Sequence, residues 1–215
     1  PETRNIYLYN NSAGANMEEK FLRLAEKRRS VYNLGKRKIL AEDEVVRLVE
    51  GMVKNCPSAF NSQSGRVVVL FGENHHKLWN IVKDALQARV PAEAFGKTEE
   101  KINSFAAGYG TVLYFVDDQV TADLQAKFPL YADNFPVWAE QANGILQYMV
   151  WTSLAENNVG ASLQHYNPLI DEKVREEWRL PQSWRLRAQM PFGSIEASAG
   201  EKTYLPMDMR LKVFK

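Results

Sequence analysis

Three short stretches carry the side chains best suited to chemistry. Lys27-Arg28-Arg29-Ser30 closes a helical pattern, and two adjacent guanidinium groups can hold a phosphate in bidentate forks. Ser58, Asn61, Ser62, Gln63 and Ser64 crowd into CPSAFNSQSGR at 56–66, where amides and hydroxyls offer donors and acceptors to a polyol or a heterocycle edge. Leu163, Gln164 and His165 lie in SLQHY at 162–166, an amide and an imidazole at a strand end before a turn. Each stretch also has a plain alternative: a solvated basic run, a capped loop and ordinary polar surface.

Other chemistries find little support. His75 and His76 are adjacent, so on a helix they point apart, whereas a facing metal pair needs a spacing of three or four. With one cysteine and three histidines in the chain, no metal site is expected. Gly108-Tyr109-Gly110 lacks the third glycine and following helix of a dinucleotide fingerprint and reads as a turn. No G-x-S-x-G elbow and no phosphate-cradling P-loop is present. Asp117-Asp118 closes a strand without an identifiable partner for paired-carboxylate catalysis, and Cys56 reads as a small residue at a helix end.

The elements that must position these residues follow from apolar spacing. An amphipathic helix opens at Met17, with Met17, Phe21, Leu24 and Ala25 on one face. A second helix spans 42–54 behind the acids Glu42, Asp43 and Glu44 and stops at Pro57. Residues 65–73 read as a buried strand, 75–90 as a helix, and 92–106 as mixed and charged. A second core strand is expected at 111–118 and a short helix at 119–128. The longest helix, 135–157, is apolar around most of its circumference, which predicts burial on several sides. A strand at 159–167, a helix at 170–179, a strand at 185–194 and a strand-like RLKVF at 210–214 complete the pattern. The expectation is an α+β chain with a mainly antiparallel or mixed sheet flanked by helices.

Totals narrow the class. The 215 residues are 45% hydrophobic and show no linker, so one domain is expected over 17–215, preceded by a leader or arm at 1–16. Balanced charge, 27 basic against 26 acidic residues, gives no reason to expect a nucleic-acid partner. No apolar run approaches the roughly 18 residues needed to span a bilayer, and no signal peptide is read. A lone cysteine forms no intramolecular disulfide, which fits a reducing compartment, and a cytoplasmic location is expected.

Taken in order along the chain, these features resemble the FMN-dependent nitroreductase family. The segments RRSVYNLG, CPSAFNSQSGRVVVLFGENHHKLW and GASLQHYNP are most similar to its subgroup of short nitroreductase-like proteins linked to fatty-acid response, and the resemblance covers residues 17–215. It implies an α+β homodimer whose long central helices pack together, with two FMN sites at the interface. It also implies NAD(P)H as hydride source, and nitroaromatics, quinones or other small electron acceptors as substrates. Carried over by position, Arg28 and Arg29 meet the FMN phosphate and ribityl chain, and Ser30 approaches the pyrimidine edge. Asn61 bonds the isoalloxazine ring, with Ser58 and Gln63 near and supplied in part by the partner subunit. Leu163, Gln164 and His165 form the turn whose backbone N–H points at flavin N5. Lys202 meets the phosphate, Gln141 faces the ring from the long helix, and Arg210 is a weaker phosphate candidate.

The match has departures. Tyr32 stands where the family carries a basic residue that stabilises negative charge on the reduced flavin. Gln164-His165 replaces a Glu-Gly, which sets a titratable ring beside the reactive atom. Tyr204 replaces the second basic residue of the tail. No side chain is assigned as general acid or base, with His165 the one to test. A flavin-binding redox sensor with little turnover, and a flavin-free interaction module, are the rival readings.

Overall fold

The computed structural model describes residues 17–215; the leader expected at 1–16 lies outside them. Helix α1 (Met17–Lys27) ends where Lys27 Nζ donates to the Glu156 carbonyl at 2.9 Å. On its expected apolar face, Leu24 and Ala25 are half-buried but Phe21 stands 64% exposed. A two-residue strand, β1 (Leu34–Gly35), precedes α2 (Glu42–Asn55). Three acids occupy the positive end of the α2 dipole, and Glu44 Oε2 accepts from the Ala41 amide at 2.7 Å. Then come β2 (Gly65–Phe71) and α3 (Gly72–Gln87). Gly72 makes the abrupt strand-to-helix turn at φ +53°, a conformation a side chain would strain.

The charged stretch at 92–106, mixed by sequence, contains a helix, α4 (Phe95–Ala106). Its buried residues Phe95, Ile102 and Phe105 have helical spacing, but Lys97, Glu99, Glu100 and Lys101 dilute the pattern. Every residue of β3 (Gly110–Asp117) is buried. The chain continues through α5 (Asp118–Lys127), α6 (Asn134–Glu156), β4 (Gly160–Ala161), α7 (Asp171–Glu177) and β5 (Trp184–Ile195).

Strand order is β1-β5-β3-β2, with β4 also on β5, and every strand pair is antiparallel. The strand expected at 159–167 shrinks to β4 plus a bridge between Gln164 and Gln189, because Asn167-Pro168 ends pairing there. RLKVF at 210–214 forms no strand: it pairs with none of the described strands, and Phe214 is 93% exposed.

Both faces of the sheet are covered. Val112 and Tyr114 of β3 point to a core shared with α2 and α6, while Leu113 and Phe115 point to one shared with α3, α4 and α7. Burial on both sides explains why β3 reads as a continuous apolar run. Between β3 and β5 the register slips: Tyr114 opposes Ala188 and Phe115 opposes Leu186, which leaves Arg187 as a bulged residue. Gly193 lets β1 approach β5, since a Cβ there would run into the Gly35 carbonyl oxygen. The long helix α6 buries Phe135, Ala139, Leu146, Val150 and Leu154, yet it leaves Val137 53% and Ile145 44% exposed. Within one chain, then, a stripe of α6 stays open.

Candidate functional site

The first stretch sits where α1 has ended and the chain runs beside β4. Val31 donates its amide to Ala161 O at 2.9 Å, and Ser30 pairs with Ala161 in the parallel sense. This contact brings the basic stretch next to the 162–166 turn. Arg28, Arg29, Ser30, Tyr32, Asn33 and Lys202 line a cleft of about 440 Å³, closed on its far side by residues 198–201. Arg28 lays its guanidinium over the Trp151 ring at 4.3 Å, and that guanidinium makes no hydrogen bond among the described residues. Arg29 Nη2 donates to the Gly200 carbonyl at 2.6 Å, which fixes the start of the tail against the cleft. Lys202 Nζ hovers over the Tyr204 ring at 5.2 Å. The result is a concave site with three cations and one carboxylate, Glu201, the Arg28 guanidinium held flat by an aromatic face.

In the turn, successive amides alternate direction. Those of Ser162, Gln164 and Tyr166 donate toward β5, to Pro191 O at 3.3 Å, Gln189 O at 2.7 Å and Gln189 Oε1 at 2.7 Å. The amides of Leu163 and His165 therefore face away, and among the described residues they have no acceptor. Gln164 is buried, and its side chain donates to Ser162 Oγ at 3.1 Å. His165 presents an exposed edge. Partial burial of the ring, and then the charge of Arg187, hold its imidazole below the ordinary histidine value.

The second stretch lies elsewhere. Phe60, Asn61 and Gln63 all adopt left-handed backbone, at φ 56°, 50° and 49°. Ser58 Oγ accepts from the Gln63 amide at 2.9 Å, and Gln63 O accepts from Arg66 Nη1 at 2.6 Å, so the loop is pinned in this shape. The Phe60 ring sits among Phe128, Phe135, Tyr131 and Trp138, at 5.0, 5.3, 5.8 and 6.0 Å. With that ring anchored, the side chains of Asn61 and Gln63 are exposed. Ser58 and Gln63 border a larger cleft of about 720 Å³ whose apolar wall includes Val49, Val53, Val67, Val69 and Leu146. The two clefts share no residue. Ala142 at one and Trp151 behind the other are nine positions apart on α6, about 13 Å at the rise of a helix.

Of the remaining sequence candidates, Leu163 packs against the α2–α6 core, Gln141 is exposed on α6, and Arg210 is exposed on the tail outside both clefts. Asp117 and Asp118 are held in ion pairs: Arg66 reaches Asp117 at 2.9 Å, and Arg185 grips Asp118 through two bonds of 2.9 Å. Arg185 and Arg187 also share Glu140, at 2.9 and 3.0 Å. Cys56 Sγ contacts Ala142 O at 3.6 Å, and burial pushes its thiol up, away from thiolate chemistry. Three residues at the site escape sequence reasoning. Trp151, Arg187 and Gln189 act across the fold, on partners distant in the chain, and no local motif marks them.

Comparison with known proteins adds independent information. Residues 25–194 match the profile of the nitroreductase family. Nitroreductase FRM2 of Saccharomyces cerevisiae is 34% identical over 187 residues, covering 86% of this chain and 93% of its own. The nitroreductase CinD of Lactococcus lactis, solved in complex with nicotinic acid, is 49% identical with a TM-score of 0.85, over 91% of this chain and all of its own. It has also been solved with chloramphenicol and with 4-nitrophenol. At 13% identity and a TM-score of 0.74, the FMN-dependent nitroreductase NfnB of Mycobacterium smegmatis, in complex with NADPH, shares the fold over 93% of this chain and all of its own.

Proposed function

The chain belongs to the nitroreductase family, and from that premise we propose that it is an FMN-dependent NAD(P)H oxidoreductase reducing nitroaromatics, quinones or similar small acceptors in a ping-pong cycle. The observation that carries this reading is the basic cleft: the Arg28 guanidinium held over Trp151, with no acceptor among the described residues, beside Arg29 and Lys202. That donor set fits a phosphate, and Ser30 and Asn33 supply hydroxyl and amide groups suited to a ribityl chain. Bound FMN would supply hydride exchange between NAD(P)H and the acceptor.

The chain's own residues bind and orient. Arg28, Arg29 and Lys202 hold the phosphate end, and Ser30 and Tyr32 border the path from it. The outward amides of Leu163 and His165 offer donors near the reactive edge. His165, its proton affinity lowered by partial burial and then by the Arg187 charge, places an imidazole there. Ser58, Asn61, Gln63 and Gln141 contribute the amide edge that meets the ring.

A homodimer accounts for the separation of the two clefts, because the amide edge of one subunit then completes the basic cleft of the other. Apolar surface left open in one chain supports this: Val137 and Ile145 on α6, and Tyr204, Leu205, Leu211, Val213 and Phe214 on the tail. The complexes of CinD with 4-nitrophenol and chloramphenicol support nitroaromatic acceptors.

Purified protein should be yellow, release FMN on denaturation and oxidise NAD(P)H when 4-nitrophenol or a quinone is present. A colourless protein that takes up no added FMN would overturn the reading. Tyr32 in the cleft wall, where the family carries a basic residue, favours a second reading, a flavin-binding redox sensor. Bound FMN with no acceptor-dependent turnover would select it.

A further inference from the structure

We propose that Gln189 is a positioning residue for the 163–165 turn, fixing the direction of the two outward amides. The proposal rests on the flavoprotein reading above. Gln189 is completely buried on β5. Its backbone exchanges two bonds with Gln164, at 2.7 and 2.9 Å. Its side chain continues past them: Oε1 accepts from the Tyr166 amide at 2.7 Å and Nε2 donates to Asn167 Oδ1 at 3.2 Å.

The chain needs a side chain here because backbone pairing runs out. The next residues of β5 toward its start are Ala188, which pairs with Tyr114 of β3, and Arg187, bulged out of that register; neither bonds the turn through its backbone. Pro168 has no N–H to donate. Gln189 therefore supplies the rung that the backbone cannot. With the amides of Gln164 and Tyr166 both tied inward, those of Leu163 and His165 must point outward. Left without the Gln189 carboxamide, the Tyr166 amide would compete for other acceptors and the turn would rotate.

The test compares wild type with Gln189→Met, which keeps volume but has no amide. In the flavin-free protein, amide hydrogen exchange at Tyr166 should quicken about tenfold while β3 is unchanged, the expected effect of losing one hydrogen bond. With FMN, the dissociation constant should stay within about threefold, since the cations of the basic cleft are untouched. The flavin midpoint potential should shift, and hydride transfer should slow about tenfold or more, as expected for a misplaced reacting group. Should Gln189→Met not fold, the shorter Gln189→Asn, which cannot span both partners, carries the same expectations. Unchanged exchange at Tyr166, or an unchanged potential and transfer rate, overturns the proposal. Wild-type protein that binds no FMN defeats the flavin reading instead, and the exchange measurement still decides whether Gln189 fixes the turn.

Discussion

Acidification should destabilise this protein through one buried histidine. His75 is 1% exposed and sits between two groups: Nε2 lies 3.1 Å from the Ala106 carbonyl and Nδ1 lies 2.8 Å from Thr111 Oγ1, a hydroxyl that also accepts from the Trp79 indole N–H at 3.0 Å. A carbonyl only accepts, so Nε2 carries the proton and Nδ1 accepts from the hydroxyl. Neutral imidazole thus satisfies every partner. Burial, and next to it the neighbouring His76, pull the His75 value down from 6.5 to about 4, against an opposing contribution from the Ala106 bond. The unfolded chain then binds a proton near pH 6.5 that the folded chain refuses until about pH 4. Stability is complete above pH 6.5, falls between 6.5 and about 4, and stops changing on this account below that; the whole loss is about 3 kcal/mol. Urea denaturation at pH 7.0 and pH 4.5 reads it directly, with His75→Gln as the reference because its amide does not titrate. The wild type should lose about 2 kcal/mol more than the variant over that interval. Equal losses in the two proteins would refute the assignment of His75 as a neutral buried group.

Other outcomes follow from the same contacts. Thr111→Val leaves the Trp79 and His75 nitrogens unpartnered in the core and should cost about 2 kcal/mol in a denaturation experiment. Arg28→Ala and Lys202→Ala should each weaken FMN binding about tenfold or more in fluorescence titration, the effect of losing a charge-assisted contact. Gln63→Gly relieves a left-handed backbone and should raise stability by up to about 1 kcal/mol, while flavin retention falls. His165→Ala should alter the pH dependence of turnover below neutrality with FMN still bound; superimposable pH profiles would remove His165 from the chemistry.

Much of the architecture was legible because apolar period and burial agree. Strands β2, β3 and β5 and helices α2, α3 and α6 stand within a few residues of where their patterns put them. Failures came where a pattern was diluted or its partner was remote. Charges hid α4, and RLKVF has strand propensity but pairs with none of the described strands. At the site, Arg28, Arg29, Ser30, Tyr32 and Lys202 converge on one cleft. Asn61 and Gln63 do not join them, because the loop that carries them is anchored by the Phe60 ring on another part of the surface. Trp151 and Gln189 left no trace in the sequence, since a ring under a guanidinium and a carboxamide finishing a ladder require tertiary neighbours.

The separation of the basic cleft from the amide edge also has a kinetic consequence. In the proposed homodimer, neither half alone is a complete receptor, so cofactor capacity depends on encounters between subunits. Halving the protein concentration near the dissociation midpoint would lower activity by more than half, and specific activity would cease to be constant. Added FMN would work in the opposite direction, drawing subunits together because it binds only the pair. Cofactor supply and protein abundance would then act as one control, with newly made chains assembling in step with the flavin available to them.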